Sequence, residues 1–133
     1  MNKKLSVLLL SILLLIGILS CEELTESQPD PKDCEVEVFT VNTSSTKTVH
    51  YEVITTGDLD VEYVAYYSDN GYITINNPTQ FPMSLDFVLP YDLDSIGVFA
   101  KAAVQNGKIE VKMTVTSNGS TISQEDACSQ YVN

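Results

Sequence analysis

The chain has 133 residues, with 18 acidic and seven basic side chains, one histidine and no tryptophan. Its formal charge of −11 repels phosphate backbones and anionic lipid alike, which excludes nucleic-acid binding. A single histidine also excludes any metal site that needs two imidazoles.

The N-terminus opens with Lys3 and Lys4 before an apolar run over residues 5–19, broken only by Ser6, Ser11 and Gly17. As a helix this run reaches about 22 Å, short of the roughly 30 Å hydrocarbon core, so it reads as an export signal rather than a permanent span. It ends in Ile18-Leu19-Ser20-Cys21, which resembles a lipobox. That likeness implies cleavage after Ser20 and a diacylglyceryl and palmitate anchor on Cys21, with Leu19 bulkier than the usual small residue. Residues 1–20 are thus expected to be a lipoprotein signal peptide. Two or three acyl chains on one cysteine anchor stably, each CH₂ contributing about 0.8 kcal/mol.

Residues 21–33 hold five acids, Pro29 and Pro31 and almost no apolar side chains, the composition of an unfolded tether. Glu22, Glu23 and Glu26 resemble the acidic post-cysteine signal that sends some lipoproteins to the outer face of the outer membrane; a solvated linker is the other reading. The expected location is the cell envelope, at the outer membrane. All 18 acids but only five of the seven lysines follow Cys21, so the mature chain carries −13.

Residues 34–133 suffice for one core and not for two. Besides Cys21, only Cys34 and Cys128 remain, with no Cys-x-x-Cys spacing or histidine partner. In an oxidising compartment the pair reads as a disulfide, with two buried free thiols as the alternative. Between them the hydrophobic period is two residues rather than helical. Ile109, Val111, Met113 and Val115 alternate with Lys108, Glu110, Lys112 and Thr114; Met83, Leu85, Phe87 and Leu89 alternate with Ser84, Asp86 and Val88. Further β-rich runs cover 34–41, 48–55, 61–67, 72–75 and 98–105, with a weaker one at 121–123. Asn70-Gly71, Asn106-Gly107 and Asn118-Gly119 each suit a tight hairpin, and residues 76–82 make a longer crossover. Seven or eight antiparallel strands without a helical stretch predict an all-β fold, a β-sandwich.

The order of these features resembles the MmpS family, small envelope proteins accessory to RND-type exporters. The likeness is carried by Val49-His50-Tyr51-Glu52-Val53, Val61-Glu62-Tyr63-Val64 before an Asn-Gly turn, Leu89-Pro90-Tyr91, the stretch 100–107 with its Ala-Val-Gln-Asn-Gly end, and 109–115 before a turn ending in Gly119. It covers roughly 48–122. The chain departs from the family in having Leu-Pro-Tyr for the common Leu-Pro-Trp and a lipoprotein signal for the usual transmembrane helix. The resemblance implies an immunoglobulin-like sandwich and a non-catalytic envelope role beside a transporter or another envelope protein.

No residue set spells out a reaction. His50 sits in a strand with no nucleophile-elbow motif, so the chain is not expected to be an enzyme and needs no cofactor. Asp58, Asp60 and Glu62 alternate and are weak calcium candidates, with Asp92 and Asp94 a second acidic pair; solvated edge-strand acids are the default. Tyr63, Tyr66, Tyr67 and Tyr72 cluster at the Asn70-Gly71 turn. Alternation sends Tyr63 and Tyr67 to one face and Tyr66 to the other. They form either a platform for a sugar or protein or, by default, cross-strand packing. Asp94-Ser95-Ile96 resembles an O-glycosylation acceptor at Ser95; Asn42-Thr43-Ser44 and Asn118-Gly119-Ser120 fit an N-glycosylation triplet that a bacterial lipoprotein would not normally carry. Two functions follow: an interaction or transporter-accessory module tethered to the membrane, or a surface module for glycan or calcium.

Overall fold

A computed structural model describes residues 28–43, 45–90 and 93–132. Cys21, its signal and most of the acidic tether lie outside the described residues, as does Asp92. Among the described residues there are six strands and no helix: β1 (Lys32–Thr43), β2 (Lys47–Ser68), β3 (Gly71–Asn76), β4 (Met83–Leu89), β5 (Leu93–Ser117) and β6 (Ser120–Gln130). All pair antiparallel in one sheet, in the order β1-β5-β2-β3, with β4 also on β2 and β6 also on β5.

Eight predicted runs become six strands because two pairs of runs are continuous. Runs 48–55 and 61–67 are the two ends of β2, and 98–105 and 109–115 the two ends of β5. Asn106-Gly107 is accordingly no hairpin. It lies inside β5, where Gly107 pairs with Gly57 and Asn106 with Asp58. A β-carbon on Gly107 would stand 2.0 Å from the Thr56 carbonyl oxygen, and one on Gly57 2.1 Å from that of Asn106. Glycine is needed here for close approach of two backbones, a demand that a turn motif imitates.

The long strands change direction around this crossing. Tyr51 and Tyr66 both belong to β2, and their ring centroids are 6.1 Å apart. A straight strand would separate residues so spaced by about 50 Å, so β2 doubles back and its two inner faces meet. The sheet therefore has two halves: β1, the start of β5, the end of β2 and β3 in one; β4, the start of β2, the end of β5 and β6 in the other.

Two bulges accompany the bend. Asp58 pairs with Asn106 but Leu59 with Val104, leaving Gln105 extra on β5; Val61 pairs with Ala102 but Tyr63 with Lys101, leaving Glu62 extra on β2. Each insertion moves the register by one and the second restores it. They also reset which residues face inward. On β5 the buried set passes from Ile96, Val98, Ala100, Ala102 and Val104 to Ile109, Val111, Met113 and Val115; on β2 it passes from Val49, Tyr51, Val53 and Val61 to Val64 and Tyr66. Each large aliphatic so buried contributes about 1.5–3 kcal/mol relative to exposure.

Of the expected hairpins, Asn118-Gly119 links Ser117 to Ser120 with φ of 50° and 79°, as a type I′ turn requires. At the other, Ser68 pairs with Gly71 across Asp69-Asn70, and only Gly71 has positive φ, 98°. The buried Ser68 hydroxyl donates to the Gly71 carbonyl at 2.9 Å and accepts the Asn70 amide at 3.1 Å. Residues 77–82 carry the chain from β3 to β4, which pair with opposite ends of β2, with a cis Phe81-Pro82 peptide.

The halves are tied where β1 and β6 meet. Cys34 and Cys128 form a disulfide with a Cα separation of 5.7 Å, and Cys34 is fully buried. Nearby the Glu37 amide donates to the Asp126 carboxylate at 3.0 Å, satisfying a donor on the outer edge of β1.

Candidate functional site

The outer face of the β1-β5-β2-β3 half is built from residues that alternate with the core. On β1 these are Glu35, Glu37 and Phe39; on β5 Gly97, Phe99 and Lys101; on β2 Tyr63, Ala65 and Tyr67; on β3 Tyr72, Thr74 and Asn76. Pairing sets them in rows: Glu37 opposite Phe99, Phe99 opposite Ala65, Ala65 opposite Thr74; and Glu35 opposite Lys101, Lys101 opposite Tyr63, Tyr63 opposite Asn76. In a third row Tyr67 faces Tyr72, and Phe39 faces Gly97. Gly97 is fixed by that neighbour, since a β-carbon there would lie 2.7 Å from the Val38 carbonyl oxygen and 2.9 Å from the Phe39 β-carbon.

Aromatic rings dominate this face. Tyr67 and Tyr72 meet edge to face at 5.2 Å between centroids, and Tyr72 lies 6.1 Å from Phe99. Phe39 and Tyr72 are 52% and 54% exposed, large apolar surface left to solvent. Beside them a cleft of about 370 Å³ runs between Tyr63, Phe99 and three carboxylates, Glu35, Glu37 and Asp126. Partial burial, then Tyr67, then Glu37 hold the Tyr72 phenol above its ordinary pKa. Lys101 is raised by Glu62, whose carboxylate is 3.1 Å away, and then by Glu35 at 3.9 Å.

Three of the four candidate tyrosines, Tyr63, Tyr67 and Tyr72, thus share one outer face. Tyr66 does not join them. It is 7% exposed, stacked on Phe87 at 5.6 Å and tilted against Tyr51, a core residue. Phe39, Phe99 and Glu37 were not among the candidates, yet the signal was present: Phe39 is in phase with Glu35 and Glu37, and Phe99 with Lys101, opposite to the buried valines and alanines.

The remaining candidates are scattered. Asp58 and Asp60 are exposed at the bend, and Glu62 takes Lys101. Among the described residues no three His, Cys, Asp or Glu side chains are grouped to hold a metal ion. Ser95 is half-buried in β5, paired with Val41. On the opposite outer face His50 contacts carboxylates, Asp86 at 2.8 Å and Glu52 at 3.8 Å. Around it lie hydroxyl pairs, Thr114 with Ser123 and Thr116 with Thr121, both at 3.0 Å. There Glu110 accepts from Lys108 and Lys112, which lower its pKa in that order. That face carries paired polar side chains beside the exposed Val88, where the other is aromatic. A second cavity, about 530 Å³, opens between the β2 bend and residues 77–82, with Asp60, Leu59 and Phe81 in its wall. Among the described residues no helix is long and apolar enough to cross a membrane. No family model, curated protein or solved structure matches the chain.

Proposed function

We propose that this chain is a non-catalytic envelope lipoprotein, anchored at the outer membrane through Cys21, whose domain is an immunoglobulin-like β-sandwich of the MmpS kind acting as an interaction module. The observation that carries the reading is the exposed aromatic face. Interfaces are enriched in tyrosine and phenylalanine, and Phe39, Tyr67, Tyr72 and Phe99 present such side chains on one face of a disulfide-tied sheet. The partner class is a transporter or another envelope protein. Capture of partners by the full chain from detergent-solubilised membranes tests it. Recovery of a defined protein by wild type, lost on joint Phe39→Ser and Tyr72→Ser replacement, is the expected result; identical recovery by both forms, or none by either, would overturn the reading.

The same rings favour a second reading, a glycan-binding module, because sugar rings stack on exposed aromatic platforms. Saturable binding on a glycan array, abolished by the same double replacement and accompanied by no protein capture, would establish it instead. Calcium draws no comparable support from the arrangement of Asp58, Asp60 and Glu62.

A further inference from the structure

The aromatic face also has a sign and a size, and both restrict what fits it. We infer that it is a docking surface for a short basic segment of a partner polypeptide, with an arginine or lysine side chain lying over Phe99 and Tyr72 and the Glu37 carboxylate as its counter-ion. This inference rests on the interaction-module reading and names the chemistry of the partner.

Charge comes first. Glu35, Glu37 and Asp126 line the cleft beside Tyr63 and Phe99, and Glu62 sits against Lys101, the one basic side chain on this face among the described residues. The Lys101 ammonium is held by Glu62 and Glu35. Asp126 is engaged through the Glu37 and Ala127 amides, at 3.0 and 2.9 Å. The Glu37 carboxylate has no ion-pair partner among the described residues, and its field reaches Tyr72. It is the acid left over on this face. A cation placed on aromatic rings and a carboxylate gains both a cation–π contact and a charge-assisted hydrogen bond, which guanidinium supplies best. An acidic mature chain steers such a partner from a distance.

Size comes second. Four strands at about 4.8 Å and three outward residues at about 6.8 Å span roughly 14 Å each way. That is a few hundred Å² at most, well short of the roughly 800 Å² per partner of a stable protein interface. It suits a segment rather than a whole globular surface. A second copy of this chain would also set the same carboxylates against one another.

The test uses the full chain in detergent micelles, ¹⁵N-labelled, titrated with a hexa-arginine peptide, a hexa-glutamate peptide and neutral gluco- and xylo-oligosaccharides. Hexa-arginine is expected to give saturable shifts centred on Phe39, Tyr63, Tyr67, Tyr72 and Phe99. Glu37→Gln and Phe99→Leu should each weaken it about fivefold or more, while Glu125→Gln on the opposite face changes it by less than about twofold. The dispersion of each variant's spectrum shows whether it is folded. Equal loss from Glu125→Gln, shifts spread over both faces, or oligosaccharide binding at these amides without hexa-arginine binding would overturn the inference. If membrane capture still depends on Phe39 and Tyr72 while hexa-arginine shifts nothing, the basic segment falls and the interaction module stands.

Discussion

Gly57 and Gly107 pair directly where β2 and β5 cross, each so close to the opposite backbone that neither has room for a side chain. Gly57 adds a φ of 83°, which L-residues rarely adopt. Gly57→Ala and Gly107→Ala should therefore each destabilise the domain by several kcal/mol, on the order of 3 or more, since a backbone atom and not a flexible side chain must yield. Gly71 provides the contrast. Its φ is 98° but nothing lies within 4 Å of a β-carbon there, so Gly71→Ala should cost only about 1 kcal/mol of strain. Urea unfolding of the three variants checks the order.

How far the fold can be read from the residues is decided at that same crossing. Alternation located the strands, because inward and outward faces differ in polarity along β4 and the end of β5. It could not show that 48–55 and 61–67 are one strand, because the intervening Thr-Gly-Asp stretch is polar in the manner of a loop, and a bend at a sheet's exposed corner has the same polarity. Asn106-Gly107 misled for a related reason: glycine serves a positive φ and a close approach equally well. The aromatic site was half legible. Tyr63, Tyr67 and Tyr72 are close in sequence around one hairpin, whereas Phe39 and Phe99 reach the same face only through the pairing of β1 with β5 and β5 with β2.

The disulfide closes a sequence separation of 94 residues. On the chain-entropy account such a loop contributes roughly 4–5 kcal/mol by restricting the unfolded chain. Joint Cys34→Ala and Cys128→Ala replacement is expected to lower stability by about 3–5 kcal/mol, read as a shift of the urea midpoint. Reduction of wild type by dithiothreitol should move its midpoint toward that of the variant. Unchanged midpoints in both experiments would mean that the bridge does not stabilise the fold.

Tyr51 is fully buried, and among the described residues its hydroxyl has no hydrogen-bond partner of ordinary geometry, the Gly97 backbone lying nearest to that role. Burial holds its phenol well above the ordinary tyrosine value, with neighbouring Tyr72 acting in the same direction and the Gly97 backbone opposing only in part. The folded chain thus keeps a proton that the unfolded chain releases near pH 10. Stability from this group is complete below that pH and is lost as pH rises toward the folded value. Tyr51→Phe should flatten the alkaline decline of the urea midpoint. At neutral pH it should leave stability unchanged or raise it by up to about 1 kcal/mol, because an unsatisfied buried hydroxyl is removed.

The membrane anchoring proposed for Cys21 is separable from all of this. Cys21→Ser should abolish incorporation of radiolabelled palmitate and mislocalise the protein, while the folded domain keeps its disulfide and its urea midpoint. Normal labelling of that variant would remove the lipoprotein assignment without touching the fold.

Glu62 makes the two-bulge arrangement testable by deletion. Because Val61 pairs with Ala102 and Tyr63 with Lys101, removing Glu62 joins two consecutive rungs and leaves every other β2 residue on its present face. Removing Ala65 has the opposite effect, since Tyr66 and the residues after it must change either partner or face. The Glu62 deletion loses its ion pair with Lys101, the hydrogen bond from the Asn77 amide to its carbonyl at 2.9 Å, and the local twist. A cost of roughly 1–3 kcal/mol is expected, with a dispersed amide spectrum retained. The Ala65 deletion should cost at least twice as much or unfold the chain, because Tyr66 packs on Tyr51 and Phe87 where the two halves meet. Equal loss from both deletions would show that the Glu62 bulge, and not only the inward set it positions, is itself required for the bend.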